Sequence, residues 1–298
     1  MKTNRRKFLA TTVTIIGAIP FSEIILSKDN FRPVRFGIFT DTHFADRDSS
    51  GSRFYRESLN KLSECVDLMN EQKADFLIEL GDFKDQGNPP EESETFRFLD
   101  IAEREFNRFV GPRYHVLGNH DHDSISKREF LDRIDNTGFS KASVYYSFNV
   151  NSFHFVVLDA NYSSEGIPYN NGKFDWTDAY VPEQQLLWLR KDLKGNRMPV
   201  VVFLHHRLDA SFENSIYGPR NAAEIRKILE DSGNVLIVFQ GHEHAGALSR
   251  INRITYYTLK GMVEGSGAEN NSYIIAEIGR DLSVRITGYR NAASGEFN

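Results

Sequence analysis

Five apolar runs in this 298-residue chain each stop at side chains able to bind metal or move protons, and that repetition limits the fold more than any other feature. Phe36 to Thr40 runs into Asp41-Thr42-His43, and Phe76 to Leu80 runs into Gly81-Asp82. Tyr114 to Leu117 runs into Gly118-Asn119-His120-Asp121. Val200 to Leu204 runs into His205-His206, and Val235 to Phe239 runs into Gln240-Gly241-His242-Glu243-His244. A short, continuous apolar run fits a strand buried on both faces. Strands that end this way deliver polar side chains to one edge of an open α/β sheet, where such proteins keep their sites. The expectation is that the five ends converge.

The intervening chain supplies helices. Tyr55, Leu59, Leu62, Val66 and Met69 recur at helical spacing, which predicts a helix over 54–71. Phe96, Leu99, Phe106 and Phe109 predict another over 92–109, preceded by Pro89-Pro90. This βαβαβ order implies parallel strands with right-handed crossovers. Runs at 144–150 and 153–158 flank Asn151-Ser152 and read as a hairpin. Residues 162–181, rich in Gly, Asn, Asp, Tyr and Trp, read as a long surface loop. A helix over 183–193, a strand over 200–204, a helix over 220–231 and a strand over 235–240 follow. Short strands at 247–251, 254–259, 272–278 and 282–289 complete the chain. Alternation early and strands late would suit two stacked mixed sheets with helices outside. No linker divides residues 31–298.

Asn4-Arg5-Arg6-Lys7-Phe8-Leu9 resembles a twin-arginine export signal, and a mildly apolar segment from Ala10 to Phe21 follows it. That segment is short of the ~20 residues needed to span a bilayer, and Pro20 and Glu23 interrupt it. The expectation is a signal over residues 1–30, read by the twin-arginine export machinery, ahead of one domain over 31–298. The mature protein is then exported, periplasmic or extracellular, with no membrane span. The formal net charge is −5, and an acidic surface argues against stable nucleic-acid binding. The single cysteine, Cys65, rules out an internal disulfide and a thiolate metal cluster. Its place in the first helix, beside Val66, fits a buried thiol.

Read in order, Asp41-x-His43, Gly81-Asp82-x-x-Asp85, Gly118-Asn119-His120-Asp121, His205 and Gly241-His242-x-His244 resemble the calcineurin-like metallophosphoesterases motif by motif. Each motif alone is weak, but the ordered set is not. The resemblance implies an α/β fold of four layers, an α-β-β-α sandwich of two mixed sheets flanked by helices. It implies a metal-dependent hydrolase of phosphoric esters or anhydrides. Asp41, His43 and His244 match the ligands of a first divalent cation, Asn119, His205 and His242 those of a second, and Asp82 the carboxylate between them. His120 matches a histidine that stabilises the transition state and protonates the leaving oxygen, with Asp121 placed to orient it. Asp85 matches a supporting position beside the ligands. The chemistry agrees with the resemblance. Hydrolysis at neutral pH needs a hydroxide and positive charge for the phosphoryl oxygens, and two divalent ions ~3.5–4 Å apart supply both. Oxygen and imidazole donors without sulfur suit Mn, Fe, Zn, Co or Mg. The purple acid phosphatases carry a ligating tyrosine at the position of Asp85, so a purple ferric centre is not expected.

Further stretches resemble the manganese-dependent ADP-ribose/CDP-alcohol diphosphatases, which favours manganese. They are Phe36-Gly37-Ile38, Phe44-Ala45-Asp46, Arg53 to Leu59, Asn171-Gly172-Lys173, Glu183 to Leu189, and Leu259 to Glu264. The chain departs from that pattern in three places. Animal members have glutamine at the position of His43, residues 174–181 are extra, and the loop after His206 matches poorly. Arg53 and Arg56 are candidate phosphate contacts, or else solvated cations at a helix start. His206 either faces substrate or is structural. Tyr169, Phe174 and Trp176 either stack on a base or sugar or pack the loop down. His115, His122 and His154 read as ordinary surface or core histidines. The leading expectation is an exported dinuclear phosphohydrolase that cleaves phosphodiester or diphosphate bonds in a small phosphorylated substrate by attack of a metal-bridging hydroxide. A broad phosphomonoesterase is the alternative. A non-catalytic scaffold is a third reading, against which the complete ligand set and His120 both count.

Overall fold

The computed structural model describes residues 31–210 and 216–298. The twin-arginine-like segment lies outside the described residues. In chain order the elements are β1 (Val34–Phe39), α1 (Ser58–Glu71), β2 (Phe76–Glu79), α2 (Glu92–Phe106), β3 (Arg113–His115), α3 (Lys127–Arg133), β4 (Tyr146–Val150) and β5 (Phe153–Val157). Then come α4 (Glu183–Gly195), β6 (Val200–Phe203), α5 (Ala222–Ser232), β7 (Val235–Gln240), β8 (Ala247–Ile251), β9 (Ile254–Thr258), β10 (Ser272–Ile278), β11 (Val284–Arg290) and β12 (Gly295–Phe297).

The strands form two mixed sheets, β12-β11-β10-β1-β2-β3 and β4-β5-β6-β7-β9-β8. β1, β2 and β3 are parallel, as the βαβαβ reading requires. So are β5, β6, β7 and β9. The first sheet holds both the first and the last strands of the chain, because β10 pairs antiparallel with β1.

Three apolar clusters separate four layers. Leu62, Val66 and Met69 of α1 and Phe98, Leu99 and Phe106 of α2 pack on the outer face of the first sheet. Between the sheets lies an aromatic seam of Phe36, Phe76, Phe155, Phe203 and Phe239. Phe36 and Phe76 stack at 4.8 Å, and Phe155 meets Phe203 at 6.0 Å. Leu186, Leu189 and Ile225 of α4 and α5 cover the outer face of the second sheet. This is the α-β-β-α sandwich. Cys65 is fully buried in the first cluster, as a structural thiol should be. Among the described residues, no helix is long and apolar enough to cross a membrane.

The differences from the sequence reading are local. α1 starts at Ser58 rather than at 54, because the Ser58 hydroxyl bonds back to the Tyr55 carbonyl and closes a turn before the helix. α2 ends three residues early, at Phe106, where the Asn107 amide reaches the Glu103 carbonyl and the Arg108 amide reaches that of Glu105. β3 is only three residues long, although the Val116 amide still donates to the Glu79 carbonyl of β2 at 3.0 Å. α3 and β12 were not anticipated. Ser126 and Glu129 open α3 with a reciprocal capping box.

Candidate metal centre

The rim formed where β1, β2, β3, β6 and β7 end is tied together by backbone. Asp41 N–H donates to the Gly81 carbonyl at 3.0 Å, His43 N–H to the Asp82 carbonyl at 2.8 Å, and Gly241 N–H to the His205 carbonyl at 2.9 Å. The turns are tight. Asp41, His43, Asp82 and His242 hold φ of 53°, 45°, 54° and 69°, a left-handed conformation that costs a non-glycine residue about 1–2 kcal/mol. Gly118 is required by contact. A Cβ there would lie 2.1 Å from the Asp82 nitrogen and 2.3 Å from Asp82 Oδ1.

Outward hydrogen bonds fix which nitrogen of each imidazole faces inward. His43 Nδ1–H donates to Asp85 Oδ2 at 3.1 Å, and His244 Nδ1–H donates to Glu264 Oε1 at 2.6 Å. His205 Nδ1–H donates to the Leu80 carbonyl at 2.8 Å. Carboxylates and carbonyls accept only, so each of these rings spends its Nδ1–H outward and turns Nε2 toward the rim. His43 Nε2 and His244 Nε2 lie 3.2 Å apart, and His244 Nε2 lies 3.2 Å from Asp41 Oδ1. His205 Nε2 lies 3.1 Å from His242 Nδ1 and 3.2 Å from Asp82 Oδ2. Asp82 Oδ2 also lies 3.5 Å from His43 Nε2, between the two groups. Asp41, His43 and His244 thus make one cluster, and Asp82, His205 and His242 a second.

The remaining atoms sharpen this picture. Asp41 Oδ2 accepts from Thr40 and from the His242 amide, while Asp41 Oδ1 is buried with no hydrogen-bond donor. Asn119 Oδ1 is likewise buried and without one. Buried acceptors are ordinarily satisfied, and acceptors facing acceptors in a low-dielectric interior repel. Burial presses His205 and His244 toward the neutral form, yet Asp82 and Asp41 outweigh it and raise their pKa to about 10 and about 9. The same imidazoles hold both carboxylates well below the usual range against the opposing effect of burial. The donor set calls for positive charge at two adjoining points, and oxygen and nitrogen donors of this kind fit two divalent cations.

His120 stands at the edge of the clusters with 29% of its side chain exposed. Burial lowers its pKa, but Asp82, Asp123 and Asp85 outweigh burial and raise it to about 9. The sequence expectation for Asp121 needs correction. Asp121 does not touch the His120 ring. Its carboxylate turns inward and accepts from the backbone amides of Gly118 at 2.8 Å, Phe83 at 2.9 Å and Asp82 at 3.1 Å. The imidazole partner is Asp123, 2.6 Å from His120 Nδ1. The reason is local: residues 120–122 form one 3-10 turn, which brings residue i+3 over residue i. Lys84, fully buried, pins the turn by donating to the carbonyls of His120 at 2.5 Å and Asp123 at 2.8 Å.

Asp85 lies where a supporting residue should, 3.1 Å from His43 Nδ1 and 3.8 Å from His120 Nδ1. Arg53 sits on the first-cluster side, where its charge acts on His244 and Glu264. Arg56 is not placed to meet a phosphate: Asp46 at 2.6 Å and Asp48 at 2.7 Å hold it at the surface. Nor does His206 face substrate. It is fully buried, packed 5.3 Å from the His205 ring and 4.7 Å from that of His242. Tyr169 is buried, stacked on Phe174 at 4.3 Å, while Trp176 reaches the site, 5.5 Å from the His242 ring. Of the histidines outside the motifs, His115 is bound between Glu79 at 2.8 Å and Glu103 at 3.0 Å. His154 bridges Asn149 and Asp192, and His122 is buried.

Comparison with known proteins agrees with this geometry. A family model described as calcineurin-like phosphoesterase matches residues 34–246. The chain is 26% identical over 257 residues to a manganese-dependent ADP-ribose/CDP-alcohol diphosphatase of Oryza sativa subsp. japonica, covering 72% of this chain and 78% of that one. It is 27% identical to a probable glycerophosphodiester phosphodiesterase of Arcobacter nitrofigilis, covering 74% of this chain and 75% of that one. In structure it resembles a dimetal phosphatase from Danio rerio, with a TM-score of 0.76 at 20% identity over 89% of this chain and 98% of that chain.

The separate roles of Asp121 and Asp123 are testable. Asp121→Ala orphans three buried amides, at about 1–3 kcal/mol each. The melting temperature should fall by roughly 6–12 °C or more for a chain of this size. Asp123→Asn should melt within about 2 °C of the parent while kcat falls about 10–100-fold, the usual cost of losing an orienting partner. Melting curves and steady-state rates on the two variants decide, and the reverse pattern would restore Asp121 as the imidazole's partner.

Proposed function

The chain belongs to the calcineurin-like phosphoesterases, a family of metal-dependent hydrolases, and from that premise we propose that it cleaves phosphodiester or diphosphate bonds in small molecules of the nucleoside-diphosphate-X type. The observation that carries the reading is the pair of adjoining donor clusters with a partly exposed imidazole, His120, held by Asp123 beside them. The diphosphatase and diesterase relatives support a substrate whose phosphorus carries a second organic or phosphoryl group.

Asp41, His43 and His244 would hold one divalent cation, Asn119, His205 and His242 the other, and Asp82 would serve both. When bound, the two cations supply an activated water and positive charge for the phosphoryl oxygens. The chain's own contribution is positional. His120 Nδ1 is engaged by Asp123, so Nε2 is the nitrogen left to give a proton to the leaving oxygen. Asp123 and Asp85 beside the ring favour its protonated form. Asp85 holds the His43 ring, and Lys84 holds the turn that carries His120. The proposal extends to export, supported by Asn4-Arg5-Arg6-Lys7-Phe8-Leu9.

Two experiments test these readings. His120→Ala should keep its metal content and lower kcat by roughly 10²–10⁴ on ADP-ribose or CDP-choline. The loss should be clearly smaller on bis-p-nitrophenyl phosphate, whose leaving group departs without a proton. Equal losses would reject the proton-donor role, and faster turnover of p-nitrophenyl phosphate than of any diester or diphosphate would replace the reading with a phosphomonoesterase. For export, cell fractionation of an Arg5→Lys, Arg6→Lys double variant should find the protein retained in the cytoplasm. Normal delivery would reject the twin-arginine signal.

A further inference from the structure

Residues 158–182, between β5 and α4, form a built wall beside the second cluster. Asp178 accepts from the Ser164 amide and hydroxyl at 3.0 Å and is paired with Arg220. Tyr180 N–H donates to the Ala160 carbonyl at 3.1 Å, and Asn221 grips Val181 on both sides, at 3.1 and 2.8 Å. The Tyr169 hydroxyl donates to the Asp175 carbonyl at 3.0 Å. These anchors hold residues 174–181, the stretch this chain carries beyond the diphosphatase pattern.

The wall places an indole at the site. Trp176 remains 37% exposed although every anchor around it is satisfied. Its ring stands 5.5 Å from the His242 ring at 75°, and 6.3 Å from Tyr217. The Tyr217 ring itself stands 5.5 Å from His242 at 76°. Two aromatic rings therefore meet the same imidazole edge to face, and Trp176 keeps part of its surface open to a ligand. Ile167 and Ile216, both exposed, belong to the same two loops. An exposed, rigidly backed indole beside a phosphate-binding centre is an apolar surface that the fold has not covered.

We propose that Trp176, backed by Tyr217, is a stacking platform for the planar ring of the substrate, a nucleobase joined through its sugar to the phosphate at the metal centre. The inference rests on the function proposed above and adds to it which end of the substrate lies on the second-cluster side. Stacking on an aromatic face tolerates any base, so the platform selects for the presence of a ring rather than for its identity.

The test uses the full chain loaded with manganese and three probes: AMP, CMP and ribose 5-phosphate, the last lacking only the ring. The chain has two tryptophans, so Trp188→Phe leaves Trp176 as its single tryptophan, read by excitation at the red edge where the tyrosines do not absorb. AMP and CMP should quench that emission saturably, and ribose 5-phosphate should not. By calorimetry, Trp176→Ala should weaken AMP and CMP about 5- to 100-fold and leave ribose 5-phosphate unchanged. Trp176→Phe should recover most of the loss. Equal weakening of all three probes, or unchanged AMP binding in Trp176→Ala, would overturn the platform. If the parent hydrolyses CDP-choline and Trp176→Ala does so with an unaltered KM, the platform fails while the proposed function stands. If the parent neither binds these phosphates nor hydrolyses any diphosphate, both fail.

Discussion

The structure depends on imidazole nitrogens and carboxylate oxygens held face to face. His43, His205 and His244 each spend their outer N–H on a carboxylate or carbonyl, so the inner nitrogens are turned onto Asp41 Oδ1 and Asp82 Oδ2, where a proton or a cation must lie between them. In a dry interior such contacts repel strongly, and only positive charge at the same points reverses the sign. The strained turns that carry the donors belong to the same economy: Asp41, His43, Asp82 and His242 sit in left-handed backbone, which Asp and His tolerate better than most residues but still at a cost. A cation bound only by the folded chain would stabilise the fold by mass action, so metal and stability are linked.

Two buried ammonium groups brace the arrangement from behind. Lys84 holds the turn that carries His120, and Lys61 gathers the carbonyls of Met262, Glu264 and Gly265 at 3.0, 2.8 and 2.7 Å. The second brace explains a stretch of sequence that holds no ligand. Met262 and Val263 donate their amides to the carbonyls of Thr40 and Asp41, and Glu264 fixes the His244 ring. Leu259 to Glu264, which resembles the diphosphatases, is therefore a seat for two ligands of the first cluster rather than a contact surface in its own right.

Much of this was legible because buried strands announce themselves and the residues after them have only one rim to reach. The continuous apolar runs marked β1, β2, β6 and β7, and the polar residues that follow them form the two clusters. What stayed hidden depended on direction. Gly118 to Asp123 offers five polar side chains in succession, and only the 3-10 turn decides that Asp123 meets His120 while Asp121 turns to the backbone. Arg56 looked available because its partners, Asp46 and Asp48, lie across a loop of unknown course. His115 passed for an ordinary core residue because Glu103 is twelve residues away on another element. α3 carried a readable capping box, but seven residues are too few for periodicity to show. The open indole of Trp176 could be read only once its loop was anchored.

The central claim is that one carboxylate, Asp82, joins two cation sites, and electron paramagnetic resonance of manganese-loaded protein tests it most directly. Titration should saturate at two ions per chain, with the six-line spectrum of isolated manganese giving way to that of an exchange-coupled pair. Asp82→Ala should lose the coupled spectrum. Saturation at one ion per chain, or two ions that keep isolated spectra, would contradict the account.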